Sequence, residues 1–81
     1  MNLKVLLFAA AKDLAGTSVA ELRVSDEATV GDIRNALVDA YPPLQKLAAS
    51  LLIAVNNHYA ANSDQVSADD EVACFPPVSG G

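Results

Sequence analysis

The groups in this chain whose types and spacing could do chemistry lie together at its C-terminal end, Cys74-Phe75-Pro76-Pro77-Val78-Ser79-Gly80-Gly81. A β-type run, Glu71-Val72-Ala73-Cys74-Phe75, meets two prolines that have no amide hydrogen to give to a sheet, so a strand must stop there. Beyond it the prolines favour extended geometry directed away from the body, and Gly80 and Gly81 leave the tip without side chains. Residues 76–81, at roughly 3.3 Å each, reach about 20 Å, deep enough to carry a main-chain carboxylate into a pocket on another protein. The chemistry this suggests is that of an acyl group. An α-carboxyl with a pKa of about 3.5 is ionised at neutral pH and resists nucleophiles, so it needs ATP to become an electrophile. Gly81 would then carry the transferred group and Gly80 would give clearance in a narrow site. Pro76 and Pro77 would lower the ordering cost of threading the tail.

Other reactive side chains are weaker candidates. Cys74 could in principle form a persulfide, yet it has the parity of Val72 on the last strand and no basic residue adjoins it, so a buried structural thiol is expected. His58 is the sole histidine and has no cysteine or carboxylate pair at ligand spacing; no metal site is expected. Asp69, Asp70 and Glu71 read as a charged turn. No Gly-rich phosphate loop, nucleophile triad or paired acid-base constellation is visible, so the chain is expected neither to catalyse alone nor to hold a cofactor of its own.

The elements that must position the tail follow from patterning. Eighty-one residues allow one small domain, and a hydrophobic content of 52% supplies a core with apolar surface to spare for a partner. The net charge of −5 without a clustered basic patch argues against nucleic-acid binding and for a partner with a basic surface. One cysteine excludes an internal disulfide, no leader pattern opens the chain, and the apolar runs are too short to span a bilayer, so no membrane association and a cytoplasmic location are expected.

Residues Leu3 to Ala10 read as a strand buried on both faces, and Ala11 to Ala15 as a helical turn closed by Gly16. Thr17 to Val24 alternates and should return as an antiparallel hairpin partner. Thr29 to Asp32 resembles a capping box opening a helix at Val30, with Val30, Ile33 and Leu37 inward, Ala36 and Ala40 beside them, and Asp32, Arg34, Asn35 and Asp39 facing water. Pro42 and Pro43 end it, and Leu44 to Ser50 adds a turn or two. Leu51 to Val55 is a strand, Asn56-Asn57 a turn, His58-Tyr59-Ala60 a short return strand, and Val66 pins a polar loop ahead of the last strand. This order describes an α+β, β-grasp architecture: a mixed sheet packed on one main helix with a short second helix, over residues 1–75, followed by an extended tail, 76–81. Phe75 has the opposite parity to Val72 and Cys74 and should lie on the sheet's other face, where Phe8 and Tyr59 could join it as an aromatic patch with Lys12 at the rim.

A chain of this size and order closing in Phe75-Pro76-Pro77-Val78-Ser79-Gly80-Gly81 resembles the small subunit of molybdopterin synthase, a ubiquitin-like sulfur carrier. The resemblance covers the whole chain, including Lys4 to Ala9, Leu14-Ala15-Gly16, Leu52 to Asn56 and Asp70 to Ala73. It departs at Cys74, where the family often has an aromatic residue, and at Ser79, where it often has Thr. The resemblance implies that an E1-like adenylyltransferase activates Gly81 with ATP and that a sulfur donor protein converts it to a thiocarboxylate. The tail then enters the large synthase subunit, in a two-plus-two complex, to give sulfur to cyclic pyranopterin monophosphate. Phe8, Tyr59, Lys12 and residues Phe75 to Ser79 would be the partner-binding set. Carriers for thiamine or tRNA thiolation, a ubiquitin-like modifier joined to lysines through Gly81, and a passive interaction module are the alternatives.

Overall fold

The structure, a computed structural model, describes residues 1–77. Its elements run β1 (Asn2–Leu7), α1 (Ala9–Ala15), β2 (Val19–Arg23), α2 (Val30–Ala40), a 3-10 turn (Pro42–Lys46), β3 (Leu52–Val55), β4 (His58–Tyr59) and β5 (Val72–Phe75). The five strands form one mixed sheet in the order β2-β1-β5-β3-β4. β1 is antiparallel to β2 and parallel to β5, and β3 is antiparallel to both β5 and β4. The last strand of the chain therefore occupies the middle of the sheet.

Period-two alternation decides which face each strand buries. Leu3, Val5 and Leu7 of β1, Ala20 and Leu22 of β2, Ile53 of β3 and Val72 and Cys74 of β5 all point to the core side. There they meet Val30, Ile33 and Leu37, one stripe of α2 at helical spacing, with Ala11, Leu44, Leu51 and Val66 closing the edges. The helix starts where the sequence says it should. The Thr29 side chain accepts the Asp32 N–H at 3.3 Å while an Asp32 carboxylate oxygen accepts the Thr29 N–H at 3.0 Å, completing the reciprocal cap.

Four expectations need correction. β1 is not buried on both faces: Asn2 and Lys4 are exposed and Leu6 is half-covered, because no layer lies on the sheet's outer side. It also ends at Leu7, and α1 begins two residues before the expected start, since Ala9 turns the chain with a φ of 51°. Ala40 is exposed. Arg34 is partly buried rather than solvated: it donates to the carbonyls of Ala48 and Leu51 at 2.9 and 2.6 Å and to Asn62 Oδ1. Gly16 does take the left-handed position after α1, with φ 77° and its N–H on the Lys12 carbonyl. Asn56 and Asn57 turn β3 into β4 with φ of 52° and 70°.

Candidate functional site

β5 delivers the chain to the tail. Its hydrogen-bonded neighbours on both sides fix the exit point, and after Phe75 the chain leaves regular structure, with Pro76 half-covered and Pro77 exposed. Val78, Ser79, Gly80 and Gly81, the residues to which the sequence assigns the acyl chemistry and part of the partner contact, lie outside the described residues.

The exit point sits in an aromatic and aliphatic surface. With Val72 and Cys74 inward, Ala73 and Phe75 face outward, and β1 parity puts Leu6 and Phe8 on the same side. Phe8 and Phe75 stack with ring centroids 4.9 Å apart and planes 8° from parallel. The Phe8 N–H donates to the Cys74 carbonyl at 3.2 Å, which ties this ring to the base of the tail. Register then carries the apolar surface across the whole sheet: Tyr59 opposes Ala54, Ala54 opposes Ala73, Ala73 opposes Leu6 and Leu6 opposes Val19, while Leu52 opposes Phe75. Of these, Phe8 is 42% exposed, Leu52 37%, Val19 36% and Tyr59 74%. Scattered apolar residues on a surface are ordinary, whereas these form a contiguous row across the sheet that runs up to Phe75 at the base of the tail.

The structure thus brings Phe75, Phe8, Pro76 and Pro77 together, with Tyr59 farther along the same face. Lys12, exposed on α1, lies one turn beyond Phe8, whose carbonyl accepts the Lys12 N–H at 3.4 Å. Leu6, Val19, Leu52 and Ala54 belong to the face and were missed by the sequence reading. Parity along each strand would have found all four, Leu6 with Phe8, Val19 with Glu21, and Leu52 with Ala54, whereas their joining into one row needs the register.

The rival side chains fall into structural roles. Cys74 is fully buried, and burial pushes its thiol up to about 11, against a smaller opposing pull from the Arg34 charge. Little thiolate forms near neutrality, which sets this thiol apart from the accessible, low-pKa cysteines that act as nucleophiles. Asp70 closes the turn before β5: it accepts the Ser67 N–H at 2.8 Å and the Asn56 side-chain amide at 3.0 Å, and these bonds hold its carboxyl below the ordinary value. His58 is exposed on β4. Among the described residues no cluster of His, Cys, Asp and Glu could hold a metal ion, and no helix is long and apolar enough to cross a membrane.

A five-stranded mixed sheet packed on one main helix, with the last strand in its centre and Gly80-Gly81 following that strand in the sequence, defines the ubiquitin-like β-grasp class. The chain belongs to the ThiS family, whose model matches residues 5–81. It is 35% identical over 81 residues to the molybdopterin synthase sulfur carrier subunit of Arabidopsis thaliana, covering 100% of this chain and 84% of that relative. It is 39% identical over 83 residues to small archaeal modifier protein 1 of Haloferax volcanii, covering 93% of this chain and 95% of the other. The crystal structure of that modifier superposes with a TM-score of 0.87 at 35% identity, over all of both chains.

Proposed function

We propose that the chain is the sulfur-carrying, non-catalytic subunit of a molybdopterin synthase. In this reading the Gly81 carboxylate attacks the α-phosphate of ATP on an E1-like adenylyltransferase, releasing pyrophosphate and leaving an acyl-adenylate. A sulfur donor then supplies sulfide equivalents that displace AMP, so the C–O bond to phosphate breaks and a C–S bond forms. The thiocarboxylate sulfur, carried into the large subunit, forms a C–S bond to cyclic pyranopterin monophosphate as an oxygen leaving group departs from that carbon. Water then adds to the Gly81 acyl carbon and breaks its C–S bond, which regenerates the carboxylate and leaves the sulfur on the product. Within this chain the work is positional. β5 holds the base of the arm rigid, Pro76 and Pro77 restrict it, and the Phe8–Phe75 face binds the partner that receives it.

The observation that supports the reading best is the continuity of the outward-facing Phe8–Phe75 stack, with Phe8 exposed and Phe75 half-buried, with the prolines that follow Phe75. Incubation with ATP, an E1-like enzyme and a sulfur donor, followed by intact mass measurement, is expected to show one oxygen replaced by sulfur, located at Gly81 by fragmentation. A chain lacking Gly81, or extended by one residue beyond it, should show no gain and support no molybdopterin formation when the large subunit and substrate are added. Restored product from either variant would overturn the proposal.

The identity to small archaeal modifier protein 1 favours a second use of the same activated end, attack by a lysine amine to form an isopeptide bond. That outcome appears in the same experiment as a new branched species with another protein, in place of the sulfur-for-oxygen exchange.

A further inference from the structure

The outer face has one feature that a purely apolar docking surface would lack. Between the β3–β4 turn and β5 runs an open groove of about 210 Å³, lined by Ala54, Asn57, Tyr59, Glu71, Ala73 and Phe75. Its floor is the pair of opposed alanines, Ala54 and Ala73, with the exposed Tyr59 ring along one wall and Glu71 among the residues at its margin. Glu71 is held in place by its backbone: its N–H donates to Asn56 Oδ1 at 2.9 Å and its carbonyl accepts the Asn56 N–H at 2.8 Å. Its carboxylate, by contrast, is exposed and makes no hydrogen bond or ion pair among the described residues. The one cation beside it by register is drawn toward a second carboxylate as well. Lys4, beside it by the register that pairs Val5 with Val72, has its Nζ 4.0 Å from Glu21, and Asp70 next along the chain adds negative charge.

We propose that this groove receives an arginine side chain of the protein that docks on the aromatic face, an inference that rests on the docking reading above. The chemistry matches part by part. Alanine methyls accept the methylene stem, the Tyr59 ring faces a planar cation, and the Glu71 carboxylate can accept two parallel N–H bonds, a geometry a guanidinium offers and an ammonium does not. The net charge of −5 draws a basic partner surface in the same direction. Docking is thereby divided: the Phe8–Phe75 stack supplies apolar affinity, and the groove selects a partner with a cation in register with it.

Binding of the purified full chain to its cognate large synthase subunit, measured at low and at high salt, tests this with Glu71→Gln, Glu71→Lys and Phe75→Ala. Glu71→Gln is expected to weaken binding about tenfold at low salt and to flatten the salt dependence. Glu71→Lys should weaken it further, and Phe75→Ala should weaken it equally at both salts. If both Glu71 variants bind like the parent with the same salt slope while Phe75→Ala is weakened, the groove proposal is overturned and the docking reading stands. If Phe75→Ala is also unchanged, the docking reading itself falls. A second measurement needs no partner. Nα-acetylarginine amide should shift the backbone amide resonances of Tyr59, Glu71 and Ala73, with the shifts lost in Glu71→Gln; absent shifts, or equal shifts from Nα-acetyllysine amide, would overturn the choice of arginine.

Discussion

At Cys74 burial and reactivity run together. The thiol is fully enclosed and titrates at about 11 instead of 9.0, so iodoacetamide at mildly alkaline pH should label the urea-unfolded chain at least about a hundredfold faster than the native one. Comparable rates would reveal an accessible thiol and revive it as a sulfur carrier. The same shift has a stability consequence with a definite sign. The unfolded thiol ionises first as pH rises, so stability is intact below 9.0 and falls between there and about 11, a loss that Cys74→Ala should abolish. Asp70 behaves oppositely. Its folded carboxyl lies below 3.8, so its contribution is present above that value and is lost as pH falls through the lower folded one. Urea denaturation should therefore find Asp70→Asn less stable than the parent at neutral pH and the difference vanishing in strong acid; a gap that persists there would show that the carboxylate charge is not what those bonds use.

At the scale of elements, Arg34 ties three segments together. From the exposed side of α2 it reaches the carbonyls of Ala48 and Leu51 and the side chain of Asn62. Arg34→Met keeps much of the aliphatic stem and removes the donors, which should cost about 2 kcal/mol in chemical denaturation with an unchanged denaturant slope. A cost near zero would mean that water replaces the guanidinium. This clasp was illegible in the sequence because i, i+4 patterning places Arg34 on the wet face, and only the fold of residues 47–62 brings carbonyls up to it. Local signals were readable where a residue type has a single physical use: Thr29 and Asp32 for a cap, Asn56-Asn57 for positive φ, Pro76-Pro77 for a strand end. Of the site, parity placed Phe75 outward and the match of residue types suggested Phe8 and Tyr59. β1 misled for a related reason. Leu6 lies on the outer face, where the apolar row continues, so an apolar outer surface imitates a second buried one. Nothing in an alanine announces the φ of 51° at Ala9, although that turn places α1 directly after Phe8.

For the whole molecule the decisive feature is strand order. β5 has a hydrogen-bonded neighbour on each side and sends Val72 and Cys74 into the core, whereas β4 has two residues and one partner. Amide hydrogen exchange should accordingly be slowest in β5 and β1, approaching the global unfolding free energy, and fast in β4 through local opening. Fast exchange at Val72 or Cys74 would mean that the base of the arm frays. A mechanical corollary follows for any partner that draws on the tail. Tension applied beyond Phe75 runs along β5 and loads both ladders in shear at once, so the strand cannot be peeled away bond by bond. β5 itself has no slack to pay out: a partner must come to the exit point at Phe75, because pulling along the strand yields little until the ladders on both sides give way together.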